Sequence, residues 1–295
     1  MATGSSFKIR HGTAKRLAGV TITLKRVHVL EFEDLDWFPG WLRTCMTNNI
    51  VIMARFLGVR HALSPLITTA LQRSEARQVV DLGSGAGGVM PEVIETVRTA
   101  PGMEDVKLLL SDKFPDRPMI ERLAGEPQEG LRYLPDSVDA TRLEAAPEGL
   151  KTMVNCFHHM RPNEARAILA SAIEQRQPIL IYEMGGHQTV PFILWLLTLP
   201  LGLTLVFLMA FVKSAFVRPV TPQQLIFTYL IPLIPLFSAW DGQASMPRIY
   251  SAEDLDELLS GLEDSNYVWE KGYGQSRSGG KLGTYLMGLP KQESR

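Results

Sequence analysis

The tightest constraint on how this chain can fold is the stretch Val79–Val93, VVDLGSGAGGVMPEV. A short run of β-branched and apolar residues stops at Gly83, Gly85, Gly87 and Gly88, and a helix-like segment with Pro91 near its start follows. A strand that turns this sharply into a helix needs backbone conformations that favour glycine. Further units of the same kind surround it. The segments RQVVDLG, VKLLLSD, LRYLPDSVDAT, LKTMVNCF and PILIYEM read as strands, and MPEVIETVRTA, PDRPMIERLAG and PNEARAILASAIEQRQ as helices among them. Strands alternating with helices imply an α/β fold, a mostly parallel sheet covered on both faces, with ligands at the carboxyl ends of the strands.

The rest of the chain divides around this core, expected over 75–187. Residues 1–74 mix aromatic and apolar positions with charges and read as an N-terminal helical cap, broken at Pro39-Gly40. Residues 188–248 form an apolar insertion after the fifth strand, and 249–295 return to the core. There SAEDLDELLSGL reads as a helix with Ser251 as N-cap and Asp254 three positions on, and NYVWEKGY and GTYLMGL as a closing hairpin.

The glycines satisfy two ligand spacings. Gly83-x-Gly85-x-x-Gly88 is a dinucleotide fingerprint, and Gly83-x-Gly85-x-Gly87 is the looser loop of nucleoside-binding enzymes. A pyrophosphate would sit at the N-terminus of the following helix, where Glu92 and the nearby Asp81 repel it. A ligand carrying an ammonium group suits those acids better. Asp112, at the end of VKLLLSD, is placed to accept hydrogen bonds from ribose hydroxyls, and Asp139 with the Ala140 N–H to bracket an adenine edge.

In order, VVDLGSGAGG, LLLSD, SVDATRL, TMVNCFHHM and ILIYEM resemble the successive motifs of class I S-adenosylmethionine-dependent methyltransferases, over roughly 75–185 and again over 250–290. The resemblance implies a Rossmann-like sheet with an antiparallel C-terminal strand, and S-adenosylmethionine as cofactor. It assigns the methionine part to Asp81, Gly83, Gly85 and Gly87, the ribose to Asp112, and the adenine to Asp139 and Ala140. Ser84, Lys113 and Asn155 fall within or beside the same motifs and join the expected cofactor-binding set.

A sulfonium methyl is already activated, so the protein mainly has to align an acceptor and exclude water, with a base needed for an oxygen acceptor. His158 or His159, ending the fourth strand, is the candidate base, since an imidazole exchanges its proton near neutrality. Glu183 and His187 after the fifth strand, on either side of Gly185-Gly186, could face the acceptor, or could be a paired carboxylate and a solvated loop histidine. Trp37, Phe38 and Trp41 could form an aromatic lid or simply pack. Cys-Phe-His-His is too compressed for a usual zinc site, so no metal is expected.

Formal charge of -1 gives no electrostatic pull toward nucleic acid, and Asn155 lacks the following Pro-Pro-aromatic of amino-methylating nucleic-acid enzymes. Two distant cysteines, Cys45 and Cys156, and an N-terminus without an apolar signal core fit a reducing, cytoplasmic setting. No charged side chain occurs from Gln188 to Val212 or from Pro219 to Trp240. Each run reaches the roughly 20 residues of a membrane span, yet Pro200, Pro232 and Pro235 interrupt them, and a spanning hairpin would carry Lys213 and Arg218 across. The expected role is a cover that dips into the inner face of a membrane through 188–240 or encloses a greasy acceptor, with a dimer interface and a true hairpin as alternatives. Together these features imply methyl transfer to a small hydrophobic or lipid-like acceptor. The rivals are a nicotinamide-dependent oxidoreductase and a non-catalytic membrane adaptor that retains the cofactor site.

Overall fold

The computed structural model describes residues 24–185, 191–218 and 220–291. After a short turn at Phe32–Asp34 come α1 (Gly40–Leu57) and α2 (Val59–Ser74), then β1 (Gln78–Leu82), α3 (Met90–Val97), β2 (Lys107–Ser111), α4 (Arg117–Gly125) and β3 (Leu131–Tyr133). The second half holds β4 (Leu150–Val154), α5 (Pro162–Glu174), β5 (Ile179–Glu183), α6 (Phe192–Lys213), α7 (Pro222–Leu225), α8 (Leu233–Ala244), α9 (Ala252–Leu259), β6 (Tyr267–Gln275) and β7 (Lys281–Pro290). The strands make one seven-stranded sheet in the order β3-β2-β1-β4-β5-β7-β6. The first five run parallel, and β7 enters antiparallel between β5 and β6. This is the Rossmann-like sheet with an antiparallel C-terminal strand that the motifs implied.

Alternation along each strand divides the core between the two faces. Val79, Leu108, Leu110 and Leu180 face α2 and α3, while Val80, Leu109, Met153 and Ile181 face α5 and α9. Leu63, Ile67 and Leu71 of α2 are fully buried in the first cluster. The N-terminal helical region therefore supplies a structural layer of the sheet, not only a cover over it. Local chemistry starts the helices where expected. Asp116 Oδ1 accepts the Met119 N–H at 2.8 Å to cap α4, and Ser251 and Asp254 exchange hydrogen bonds of 3.1 and 3.0 Å at the start of α9.

The apolar insertion behaves differently from its proline pattern in one respect. Pro200 lies inside α6, which continues as a single helix of 22 residues. One proline removes one hydrogen bond and keeps a helical φ, so the remaining ladder carries the helix through. The segment Phe192–Phe216 is long and apolar enough to cross a membrane, with 6% of its most apolar window buried. The second run does break: α7 passes through a π-helical turn at Ile226–Leu230 and bends by 79° before α8. Ile193, Leu197, Leu201, Leu205, Leu208 and Val212, spaced by three or four residues, form an exposed stripe along α6. On its inner side α6 is tied to α8 by Trp195 Nε1 donating to the Gln243 carbonyl at 3.0 Å.

Candidate active site

Parallel pairing sets Asp81 on β1 beside Thr152 on β4. The Thr152 hydroxyl donates to Asp81 Oδ1 and the Ser84 hydroxyl to Oδ2, each at 2.7 Å. Burial pushes the Asp81 carboxyl up to about 7, against the pull of the two hydroxyls. Ser84 is itself buried and turned toward the strand ends, so its side chain braces the turn. Gly83, Gly85, Gly87 and Gly88 all hold positive φ between 50° and 99°. A Cβ at Gly83 would also meet Cys156 Sγ at 3.1 Å, which brings the turn hard against the end of β4.

Asp112 follows β2 and receives two backbone N–H groups, Gly85 at Oδ2 (2.9 Å) and Phe114 at Oδ1 (2.8 Å). Burial raises its pKa despite both bonds. Phe114 beside it is exposed. Val138 donates its N–H to the Asp112 carbonyl at 3.0 Å, which brings the Asp139-Ala140 corner next to this acid. Asp139 Oδ1 accepts from Thr141 N and Oγ1 at 2.9 and 2.7 Å, so part of that carboxylate holds its own turn. Lys113 points into solvent.

A cavity of about 200 Å³ opens at the carboxyl ends of β4 and β5. Asn155, His158, His159 and Glu183 line it, so the candidate catalytic residues converge with one of the expected cofactor residues. Asn155 adopts a left-handed φ of 54°, and its Oδ1 accepts the Met184 N–H at 2.7 Å. His158 Nδ1 lies 2.9 Å from Glu183 Oε2, and the His158 backbone N–H donates to Glu183 Oε1 at 3.0 Å. This leaves His158 Nε2 on the side of Glu31, 4.0 Å from its Oε1. His159 Nδ1 instead meets Asp34 Oδ1 at 2.7 Å and Glu31 Oε2 at 3.2 Å. Gly186 and His187 lie outside the described residues. Trp37 is exposed, Phe38 packs on Phe32 and Phe237, and Trp41 meets Phe227, so two of the three aromatic residues tie α1 and the segment just before it to the insertion.

Several residues of this site carry no motif in the sequence. Glu31 and Glu33 reach the cavity from the turn before α1, and Asn49 from α1. Asp241 of α8 receives the Phe32 and Glu33 N–H groups at 2.9 and 3.0 Å and so fixes that turn. Fully buried Arg248 pairs with Glu31 at 3.1 Å and Asp34 at 2.7 Å. The only sequence signals were the acid-rich EFEDLD and the position of Asp241 as the first charge after an apolar run. Glu31, His158 and His159 also offer three ligand atoms within 4.8 Å of one another, a grouping that spacing in the chain could not reveal.

Charge in this enclosed place shifts several protons. Burial lifts Glu31 to about 7, opposed by His159 and Arg248, and lifts Glu33 to about 8, reinforced by Asp241 and Glu31. For Asp34 burial works upward, but the His159 hydrogen bond and Arg248 outweigh it and hold the carboxyl well below its usual range.

No protein-family model and no curated protein matches the chain. Solved structures do resemble it. The plantazolicin methyltransferase BamL, in complex with a triazolic desmethylPZN analog and SAH, is 10% identical over 85% of this chain and 98% of that one, with a TM-score of 0.48. Human N-acetylserotonin methyltransferase in complex with SAM is 12% identical over 78% and 52%, at 0.41. A structure described as a pericyclic reaction enzyme is 13% identical over 76% and 47%, also at 0.41.

Asp81, Glu31 and Glu33 take up protons on folding, because their folded values of about 7, 7 and 8 exceed the ordinary carboxyl value near 4. Their stabilising contribution is complete below about pH 4 and is lost as pH rises through 7 to 8. The urea midpoint of the ligand-free protein is expected to fall between about pH 5 and 8, and Glu33→Gln to flatten that slope. Equal slopes in the two proteins would show that Glu33 titrates as an ordinary surface acid.

Proposed function

We propose that the protein is an S-adenosylmethionine-dependent methyltransferase acting on a small hydrophobic or lipid-like acceptor. The observation that carries this reading is the shared wall between turn and cavity: Cys156 packs on Gly83, and its neighbour Asn155 lines the apolar-roofed space. A ligand seated on the glycine turn would thus present one end to that space. Asp81 and Asp112 flank the turn with carboxyl groups, which suit an amino-acid nucleoside with a cationic end better than a pyrophosphate. Asp112 stands ready for a diol, and the exposed Phe114 ring offers a face to a purine.

The chain's residues divide the work between holding and proton handling. Asp81, tied to Thr152 and Ser84, keeps the turn in register with β4. Glu183 orients His158 through Nδ1, leaving Nε2 to take a proton from an acceptor hydroxyl, as a carboxylate-oriented imidazole does. A nitrogen acceptor would need alignment more than this base. The roof of α6 and α8 excludes water from the transfer.

Bound S-adenosylmethionine would supply the activated methyl. By calorimetry, S-adenosylhomocysteine should bind, and Asp112→Ala should weaken it at least about tenfold by removing charge-assisted bonds to the sugar. His158→Ala should leave that affinity intact and slow transfer of labelled methyl to a cell lipid extract by about a hundredfold or more. NADH binding without any response to S-adenosylhomocysteine would favour the oxidoreductase reading instead. Cofactor binding without turnover on any extract would favour the adaptor.

The exposed stripe of α6 supports contact with the inner leaflet of a membrane, because contiguous apolar faces of this length rarely stay in water. In co-sedimentation with anionic phospholipid vesicles, the double change Leu197→Glu and Leu201→Glu should reduce binding about tenfold or more while S-adenosylhomocysteine affinity holds. Undiminished binding would place the contact elsewhere.

A further inference from the structure

Among the residues lining the cavity, three buried side-chain atoms have no partner, Glu33 Oε1, Asn49 Nδ2 and Ser238 Oγ, and a fourth, Glu31 Oε1, meets the Arg248 guanidinium at 3.1 Å without the alignment of a hydrogen bond. Glu31 and Asn49 are 1% and 5% exposed. Buried polar groups nearly always find partners, so three orphans around one space mark where a ligand supplies them. Asn49 shows how local the gap is. Its Oδ1 accepts from the Ser214 hydroxyl at 2.9 Å, while the amide nitrogen is left unpaired.

Carboxyl groups crowd this space: Glu31, Glu33, Glu183 and Asp241 line it, with His158, His159 and one lysine, Lys213, whose ammonium lies 2.9 Å over the Phe56 ring centroid. Burial and this crowding lift Glu31 and Glu33, and a bound cation would let them ionise. Arg248 is shared between Glu31 and Asp34, and it sits near Glu31 Oε1 without the alignment of a hydrogen bond. Arg43 directs its donors to the carbonyls of Glu33 and Leu35, and Arg26 directs donors to those of Arg248, Met160 and His158. Opposite the acids, Met46, Ile50, Met53, Val206 and Met209 make an apolar wall.

Resting on the methyl-transfer reading for its role as acceptor site, we propose that this cavity binds an amphiphilic amine. Its nitrogen enters protonated, held by Glu33 beside the Glu31–Arg248 pair, and gives that proton to His158 Nε2 before transfer, since only the free amine has the lone pair that takes the methyl; its hydrocarbon lies along the methionine-rich wall. A cation there offers a donor to the free Glu33 oxygen and compensates the carboxylate that forms as it binds. Asn49 Nδ2 remains for an acceptor atom next to the amine. An alcohol would supply one donor and no charge, and a carboxylate would add to the repulsion. A divalent ion on Glu31, His158 and His159 would leave the Glu33 oxygen and the Asn49 donor unpaired. About 200 Å³ accommodates a head group and a short chain, so a longer tail would leave between the insertion helices toward lipid.

Calorimetry with octylamine, octanol and octanoate, near neutral pH and with saturating S-adenosylhomocysteine, tests this. Octylamine should bind about tenfold or more tighter than octanol, and octanoate weakest. Glu33→Gln should remove the preference for the amine and leave octanol and S-adenosylhomocysteine affinities unchanged. Equal affinity for amine and alcohol in the unmodified protein would overturn the proposal without recourse to the variant. So would a preference abolished by EDTA and restored by Zn²⁺ or Mn²⁺, which would assign the cluster to a metal. Amine selectivity without S-adenosylhomocysteine binding, measured with the protein alone, would sink the methyl-transfer reading and leave the amine subsite standing.

Discussion

Parallel pairing of β1 with β2 on one side and β4 on the other is the constraint from which the rest of the molecule follows. Parallel strands finish on the same edge of the sheet, and the order reverses at β1, so a crevice opens between the ends of β1 and β4. Asp81, Asp112, Asn155 and Glu183 stand at or beside strand ends on that edge, and their proximity follows from register. The glycine turn completes the arrangement because only a backbone without Cβ fits between β1 and Cys156 with these positive φ values.

On that edge the molecule buries charge, and the pairing of those charges shapes the site. Removing one partner from a buried ion pair is costly, because the other is left uncompensated in a poor dielectric. Arg248 illustrates the point: fully buried, it pairs with both Glu31 and Asp34 and so joins the turn before α1 to the segment after α8. Asp241 does similar work by receiving two N–H groups of that turn. The insertion is therefore more than a greasy appendage, since its far end helps assemble the polar floor that its helices roof. The same crowding lifts Glu31 and Glu33 and leaves His158 oriented by Glu183.

The two surfaces of the insertion have opposite duties. One side of α6 meets α8 and closes the cavity, and the other presents an unbroken apolar stripe. A helix apolar on both sides is ordinary where protein lies on one flank and lipid on the other. The cavity thus sits between the sheet edge and the apolar insertion helices.

What the sequence determined by itself was local in origin. Alternation of apolar runs with helical segments marked out the α/β sheet, the spacing of Gly83, Gly85 and Gly87 placed the turn, and Ser251 with Asp254 started α9, because periodicity, turn chemistry and capping depend on near neighbours. His158, His159 and Glu183 were legible for the same reason, lying at strand ends within recognisable motifs. Pro200 was legible but misleading, since a single proline weighs against a helix without deciding it. Only the tertiary structure decided that Glu31, Asn49, Asp241 and Arg248, drawn from both ends of the chain, share a floor with those histidines. No local pattern records such a meeting, because it is fixed by how α1, α8 and the sheet edge pack together.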